Sequence, residues 1–473
     1  MDAAEPPGPA PAANGAGGPA AVLDPTFLVP GDGLGTPAAG REASGFADVL
    51  DGVDTFAEQV GRVVRAHGTT VQVTGLTARI GERCRIGDPG DARAAFADVV
   101  AIDGPNLVLY LLGTLEGISN RSEVRVVPSG RTVPFSETLV GCVVDGAGRI
   151  VYQPHAQVRV IDVPIEREAP DALRRAPIDR IFRTGVRPID ALLTVGVGQR
   201  VGIFATAGGG KSTLLSMLAR NAAADVNVIA LIGERGREVR EFIEHNLGAE
   251  GLARSVIVVS TSDRPAMERV NAARCATTIA EGFRARGKNV LLLLDSITRH
   301  ARAMREVGLS IGEPPVRRGF PPSVFADLPR LLERTGNDEH GSITAFYTVL
   351  AEDEDGDDPI VEEVRSILDG HIVLARALGE RGRYPPIDVL GSTSRLFPDL
   401  AGPEHRAAAV RVRRLLAKHD EIELLVQLGE YEPGSDPEAD DAIARRGAIE
   451  ALLAQDRHES PAFDDTLSAL LAI

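Results

Sequence analysis

The apolar positions in the middle of the chain come in short uninterrupted runs, each followed by a segment with helical spacing. Residues 200–205, 226–232 and 290–295 are three such runs. Continuous apolar runs of this length are typical of strands buried on both faces of a parallel sheet. Between residues 130 and 402 such runs alternate with helical segments, which predicts an α/β domain built from β–α–β units.

The pattern changes on the N-terminal side of this region. From residue 61 to 127, short segments such as residues 70–74 and 106–110 alternate apolar and polar positions between Gly and Asp turns. This pattern predicts a small β-barrel.

The two ends of the chain have patterns of their own. Residues 1–43 are rich in Ala, Gly and Pro and are predicted to be disordered, although residues 46–60 could form a short partner-binding helix. Residues 406–418 and 441–454 have helical spacing. The predicted organisation is a disordered segment over 1–50, a β-barrel domain over 51–128, an α/β domain over 129–402 and a helical domain over 403–473.

A glycine-rich loop, residues 205–213, follows the first apolar run and precedes a helix. Three successive glycines let backbone N–H groups wrap around phosphate oxygens, and the helix points its positive end at the anion. Lys211 would reach the β- and γ-phosphates of a nucleoside triphosphate, and the Ser212 hydroxyl would bind Mg²⁺. The usual pattern has Gly where this chain has Ala205, and the alternative is a chance glycine turn. The predicted phosphate-binding residues are Ala207, Gly208, Gly209, Gly210, Lys211, Ser212 and Thr213.

Two acids follow the other apolar runs. Asp295 ends the run at 290–295, where it would hold Mg²⁺ through water, although Asp295 or Ser296 could instead cap the next helix. Glu234 follows the run at 226–232. Parallel strands deliver their C-terminal ends to one site, where a glutamate can activate water. The alternative for Glu234 is a surface charge paired with Arg235 or Arg237.

Longer motifs extend from these sites along most of the chain. They resemble those of the type III protein-export ATPases, relatives of the rotary F-type and V-type ATPase subunits, and the resemblance covers roughly residue 58 to the C-terminus. The motifs are GERGREVREFI at 233–243, LDSITR at 294–299, EPP at 313–315, GFPPSVF at 319–325, EEVRSILDGHI at 362–372, YPPIDVL at 384–390 and STSR at 392–395.

The resemblance implies a RecA-like P-loop NTPase core and assigns roles to five residues. Glu234 would be the catalytic base and Glu238 a supporting acid. Arg395 would be an arginine finger that reaches the neighbouring subunit's site. Tyr384 would stack on adenine, with Tyr431 as a second candidate. For both tyrosines the alternative is a core aromatic.

The resemblance also implies a function. It predicts an Mg²⁺-dependent ATPase that forms a homo-oligomeric ring, releases chaperones from export substrates and unfolds them. The implied partners are a stator-like regulator, a stalk protein, chaperones and effector proteins at the cytoplasmic face of the inner membrane. The residues 202–212 favour the virulence-type over the flagellar branch. The short region after Pro403 argues against a rotary synthase subunit, and a non-catalytic subunit would lack Glu234 or Lys211.

Composition narrows the alternatives further. The net charge is −16, which argues against nonspecific nucleic-acid binding and hence against an RNA translocase, as does the scarcity of basic clusters in the predicted barrel. No apolar run approaches a membrane span. Cys84, Cys142 and Cys275 lie far apart, as expected in a reducing cytosol with neither a disulfide framework nor a zinc site.

Overall fold

The structure is a computed structural model that describes residues 59–87, 94–154, 158–206, 208–351 and 358–473. The predicted disordered segment and Ala207 lie outside the described residues. The possible helix over 46–60 also lies outside them, except for its last two positions.

A closed barrel of six strands is the first unit of the described chain. Its strand order is β1–β2–β5–β4–β3–β6. The alternation of apolar and polar positions in the sequence corresponds to inward- and outward-facing side chains of the barrel. Val71 and Val73 point into the barrel and are fully buried. The strands are β1 Gly61–His67, β2 Thr70–Thr74, β3 Arg83–Ile86, β4 Ala95–Asp103, β5 Asn106–Leu111 and β6 Glu123–Val126.

The second unit is an α/β domain, and the fold class predicted from the sequence is confirmed. Its remaining strands are β7 Thr132–Phe135, β8 Val143–Asp145, β9 Ile150–Tyr152, β10 Ile161–Pro164, β11 Ile181–Phe182, β12 Val195–Gly196, β13 Arg200–Ala205, β14 Val226–Ile232, β15 Ser255–Ser260, β16 Asn289–Asp295, β17 Gly336–Asn337, β18 Ser342–Leu350, β19 Gly370–Leu374 and β20 Ile387–Ser394.

Within the described chain, ten of these strands form one sheet. Its order is β20–β19–β13–β18–β16–β14–β15–β8–β9, with β17 paired to β18. Strands β19, β13, β18, β16, β14, β15 and β8 are parallel, whereas β20, β9 and β17 each pair in the antiparallel sense. The parallel strands therefore deliver Ala205, Ile232 and Asp295 to the same edge.

Helices cover both faces of the sheet. In chain order they are α1 Arg187–Leu192, α2 Lys211–Asn221, α3 Gly236–Glu241, α4 Gly248–Ala253, α5 Ala266–Arg284, α6 Ile297–Ser310, α7 Pro322–Glu333, α8 Pro359–Ile367, α9 Arg376–Glu380 and α10 Phe397–Leu400, with a π-helical turn over Phe242–Leu247 and a 3₁₀ turn over Glu137–Leu139. All seven residues of β14 are buried because each face carries a hydrophobic cluster. Val228 and Ala230 belong to one cluster, Ile229 and Leu231 to the other.

The C-terminal region is helical, as predicted, but contains one more helix than expected. The helices are α11 Pro403–Leu428, α12 Pro437–Leu453 and α13 Phe463–Leu471. The sequence analysis missed α13, which is short and packs its buried Leu470 into the same cluster as α1. Among the described helices, none has a stretch both long and apolar enough to cross a bilayer.

Candidate active site

The glycine loop joins the C-terminal end of β13 to the first residue of α2. Gly208 and Gly210 both have φ of 80°, a left-handed conformation that favours glycine. A Cβ at Gly210 would lie 3.1 Å from Pro386 Cγ, and one at Gly209 would lie 3.1 Å from the Thr206 carbonyl oxygen. The backbone of the loop therefore depends on the glycines.

Lys211, the first residue of α2, connects the two acids identified from the sequence. Its Nζ donates to Glu234 Oε1 at 3.1 Å and to Asp295 Oδ1 at 2.5 Å. Burial would lower the pKa of Lys211, but the charges of Asp295 and Glu234 outweigh burial and raise it. The lysine is therefore a fixed cation at neutral pH.

Asp295 is the last residue of β16 and is 3% exposed. Thr348 Oγ1, on the neighbouring strand β18, donates to Asp295 Oδ1 at 2.7 Å. The helix cap that the sequence left open is made by Ser296, whose hydroxyl accepts from the Arg299 backbone N–H at 3.3 Å. Asp295 is therefore not needed as the cap of α6, and its carboxylate faces Lys211.

Glu234 lies two residues beyond β14 and is 6% exposed. Besides Lys211, its partner is Arg299, which donates to Glu234 Oε2 at 3.2 Å and to the Gly233 carbonyl at 2.6 Å. The surface-charge alternative is wrong, because Glu234 is buried and its ion pairs are with Lys211 and Arg299, while the exposed Arg235 pairs with Glu238 at 3.5 Å. The role of Glu234 as a base stays a prediction.

A pocket of about 130 Å³ opens beside these groups and is lined by Ser212, Glu234, Glu238 and Asp295. A hydroxyl and a carboxylate are the hard oxygen ligands that Mg²⁺ prefers. Thr206 Oγ1, at the loop's entry, is buried without a hydrogen-bond partner among the described residues. Loop, lysine and oxygen donors together fit a nucleoside triphosphate with Mg²⁺.

Tyr384 lines a second, wider pocket of about 580 Å³ at the other side of α2. Thr213, in the first turn of α2, and Gln455, from the C-terminal domain, line the same pocket, and Tyr384 is half exposed. The ring is thus placed where a base attached to loop-bound phosphates would reach. Stacking on adenine stays a prediction.

Tyr431 lies apart from these groups. It follows α11, and its hydroxyl donates to Asp440 Oδ1 at 2.9 Å on α12. It is absent from the described lining of both pockets. The structure therefore does not bring Tyr431 to the site in this subunit.

Arg395 lies at the opposite edge of the sheet from the glycine loop. Because β20 is antiparallel to β19, it ends beside the start of β19, and the Arg395 N–H donates to the Asp369 carbonyl at 3.0 Å. The Asp369 N–H in turn donates to the carbonyl oxygen of Arg200, the first residue of β13. Arg395 is therefore level with Arg200, and Ala205 lies five residues further along the strand, a distance of about 17 Å. The exposed Arg395 therefore cannot serve its own subunit's loop.

Arg299 and Thr348 are the groups in the site that the sequence analysis did not single out. Arg299 stands four residues after Asp295 in the LDSITR motif, so a polar residue one turn into the helix was a usable signal. Thr348 carried no signal. It lies in the middle of an apolar strand, and only the pairing of β18 with β16 brings it to Asp295.

Proteins that are similar over most of the chain include two relatives and two solved structures. The "Type 3 secretion system ATPase" of Xanthomonas euvesicatoria is 53% identical over 87% of this chain and 93% of its own length. The "Flagellum-specific ATP synthase" of Treponema pallidum is 47% identical over 87% and 92%. The assembled ATPase EscN of the enteropathogenic E. coli type III secretion system superposes with a TM-score of 0.82 at 45% identity, covering 87% of this chain and 99% of EscN. EscN has also been solved in complex with its central stalk EscO, with a TM-score of 0.80.

The parallel sheet, the glycine loop and the buried acid at the end of β16 define a P-loop ATPase. Residues 185–394 match the family model "ATP synthase alpha/beta family, nucleotide-binding domain", and residues 401–472 match "T3SS EscN ATPase C-terminal domain". The chain belongs to the type III secretion system ATPase family and is an ATP-hydrolysing enzyme.

Proposed function

We propose that this protein is the ATP-hydrolysing motor of a type III secretion system, with Mg²⁺ as its metal and a hexameric ring as its working form. The observation that carries the proposal is the Lys211 cluster. One cation, Lys211, contacts both the acid after β14 and the acid at the end of β16, beside a loop with the geometry of a phosphate site.

The chemistry follows from the positions of these groups. The loop N–H groups and Lys211 would bind the phosphates, and Ser212 and Asp295 would hold Mg²⁺, which neutralises phosphate charge. Glu234, buried and oriented by Arg299, would accept the proton of the attacking water. Glu238 would support the same pocket.

Replacing the proposed base tests the assignment. Glu234→Gln removes the proton acceptor but keeps the shape, so turnover should fall by at least about a hundredfold while ATP binding persists. Lys211→Ala should weaken binding as well as turnover. The matched control is Glu244→Gln, an exposed glutamate in the π-helical turn after α3, which should leave both unchanged. Near wild-type turnover in Glu234→Gln would reject the assignment.

We also propose that Arg395 completes the site of the next subunit in the ring. Its support is the position of Arg395 at the far edge of its own sheet. Removal of an arginine finger costs about 10³-fold or more in rate. Arg395→Ala and Glu234→Gln would damage opposite sides of one interface, so mixing these inactive proteins should restore part of the activity. Mixed rings that exchange subunits and stay inactive would contradict a role in trans.

The partners and location are proposed from the family. A stalk protein would contact this chain as EscO contacts EscN, the N-terminal segment would bind a stator-like regulator, and chaperone–effector complexes would be the substrates. The site of action would be the cytoplasmic face of the inner membrane. Deleting the gene should stop effector secretion and leave flagella and cellular ATP synthesis intact. Loss of motility instead would favour the flagellar alternative, and loss of ATP synthesis the rotary one.

The domain boundaries 1–50, 51–128, 129–402 and 403–473 remain part of the proposal. Their support is that β6 ends at Val126 and α11 begins at Pro403, each within two residues of a proposed boundary. Limited proteolysis should cut near residues 50 and 128 before it cuts within the domains.

A further inference from the structure

Two exposed arginines, Arg365 and Arg395, are neighbours at the sheet edge opposite the glycine loop. Arg365 lies in the last turn of α8, and Arg395 follows β20. The Arg395 guanidinium donates to the Arg365 carbonyl at 3.4 Å. Neither side chain has an acidic partner among the described residues, whereas the adjacent Arg200 is held by Asp369 at 3.0 Å and also by Glu333.

An aromatic support holds the Arg365 side chain in place. Its guanidinium carbon lies 4.9 Å from the centre of the Phe204 ring. That ring folds back over Gly202, where a Cβ would collide with it, and packs edge-on against His371 with centroids 5.9 Å apart. An arginine stacked on a ring still directs its N–H donors outward in the guanidinium plane.

The histidine beside the two arginines is neutral and adds no charge of its own. Burial lowers the pKa of His371, and the neighbouring charges of Arg365 and Arg395 lower it further. The neutral ring can donate through Nε2 to the Gly391 carbonyl at 3.1 Å. Neither cation has an acidic partner in the part of the chain that the structure describes, so the two arginines can serve as a receptor for an anion. The N–H donors of a guanidinium match the oxygens of a phosphate group, and each of the two arginines supplies such a set of donors.

We propose that Arg365 is a second arginine supplied in trans, and that the Arg365–Arg395 pair binds the terminal phosphates of ATP held by the Lys211 loop of the next subunit. The inference rests on the proposed function as a ring ATPase. It adds to that function by assigning the contact with the neighbouring subunit's phosphates to two side chains. The competing role for Arg365 is structural, as a cation at the C-terminal end of a helix.

The test compares Arg365→Ala, Arg365→Gln and Arg365→Lys in assembled rings, with ring mass and melting temperature measured alongside. Arg330→Ala, an exposed arginine on α7 without an ion pair among the described residues, is the control. We expect Arg365→Ala and Arg365→Gln to lose at least about tenfold in kcat/KM, and Arg365→Lys to recover only part because it lacks the paired donors. A fluorescent ATP analogue should bind dilute monomers of all variants as tightly as it binds wild type.

Mixing pairs of inactive variants distinguishes a role of Arg365 in the neighbouring subunit's site from a role in its own subunit. Arg365→Ala mixed with Glu234→Gln should regain activity, whereas Arg365→Ala mixed with Arg395→Ala should not, since both damage the same side of the interface. Wild-type kcat/KM in assembled Arg365→Ala rings would overturn the inference. A loss of kcat/KM that is accompanied by a fall in melting temperature, in ring mass or in the nucleotide affinity of the monomer would also overturn the inference. If Arg395→Ala or Glu234→Gln is itself fully active, the proposed function fails first. If Arg365→Ala is active while Arg395→Ala and Glu234→Gln are inactive, the inference about Arg365 is wrong and the proposed function stands.

Discussion

At the scale of residues, the site is defined by which cation each carboxylate contacts. Asp295 and Glu234 are both buried, and a buried charge is tolerated only with partners. Lys211 contacts both, but only Asp295 has the Thr348 hydroxyl and only Glu234 has Arg299. The two acids therefore sit in different surroundings although both follow apolar strands, consistent with a metal role for one and a proton-transfer role for the other.

Arg299 should act as a positioning residue for Glu234. Arg299→Ala leaves the Glu234 carboxylate held from one side only, so we expect kcat to fall by about 10- to 100-fold with little change in KM. Arg299→Lys should retain more activity, and Arg240→Ala, an exposed arginine on α3, should retain all of it. Steady-state ATPase rates check this, and an equal rise in KM would point to nucleotide binding instead.

Asp190, on α1, should make stability depend on pH. Burial raises its pKa to about 6, although Thr184 and Gly185 donate hydrogen bonds to it. An acid whose folded pKa lies above its unfolded pKa contributes most below the unfolded value, and that contribution is lost as pH rises through the folded pKa. Wild type should therefore lose about 1 kcal/mol relative to Asp190→Asn between pH 5 and 7. Urea unfolding at the two pH values measures this, and parallel curves would contradict it.

At the scale of elements, one antiparallel strand and one charged junction decide how the parts are oriented. Strand β20 runs against β19 and carries Arg395 away from the loop that β13 carries forward. The barrel is fixed to the α/β domain where Asp98 on β4 meets Arg83, Arg131 and the Asn271 side chain of α5, at 2.9 to 3.2 Å. Movement of α5 would therefore be transmitted to the barrel.

Asp98 should be the most sensitive acid of this junction. Asp98→Ala removes the carboxylate that Arg83 contacts and leaves Arg131 with only the exposed Glu166 as an acidic partner, which we expect to cost about 3–5 kcal/mol in the free energy of unfolding. Asp103→Ala, at the exposed end of the same strand, is the control and should cost less than about 0.5 kcal/mol. Two measurements test this: denaturant unfolding of each variant, and hydrogen exchange of the amides in the barrel. Equal stabilities for the two variants would mean that the junction is not under the expected electrostatic constraint.

At the scale of the whole molecule, one subunit carries both halves of a site but cannot join them itself. The glycine loop and Arg395 lie at opposite edges of one sheet. A head-to-tail contact between identical chains brings these edges together, and such contacts close into rings. EscN, whose fold this chain shares, has been solved in an assembled form.

Activity should therefore depend on protein concentration. Because ATP would contact two subunits, nucleotide should favour the ring by mass action, and specific activity should rise until rings saturate. In Arg395→Ala, ATP should increase the fraction of protein assembled into rings less than it does in wild type. Mass measurement with Mg-ATP, in parallel with ATPase rates over a dilution series, checks both points. A monomer with full activity at every concentration would contradict the ring.

The sequence by itself determined the elements and most of the local chemistry. Uninterrupted apolar runs of six or seven residues are typical of strands buried on both sides, so β13, β14 and β16 and the loop at Gly208–Gly210 followed from local pattern, and so did the barrel. Helix α13 did not, because nine residues carry too little periodicity.

Only the tertiary structure decided what each side chain meets. Strand order is set by long-range pairing, which local pattern does not encode, and it alone brings Thr348 to Asp295 and Arg299 to Glu234. The antiparallel pairing of β20 places Arg395 beside Arg365, out of reach of its own loop. The physical reason is that sequence spacing specifies which face of an element a residue occupies, whereas the neighbour of that face depends on how the elements pack.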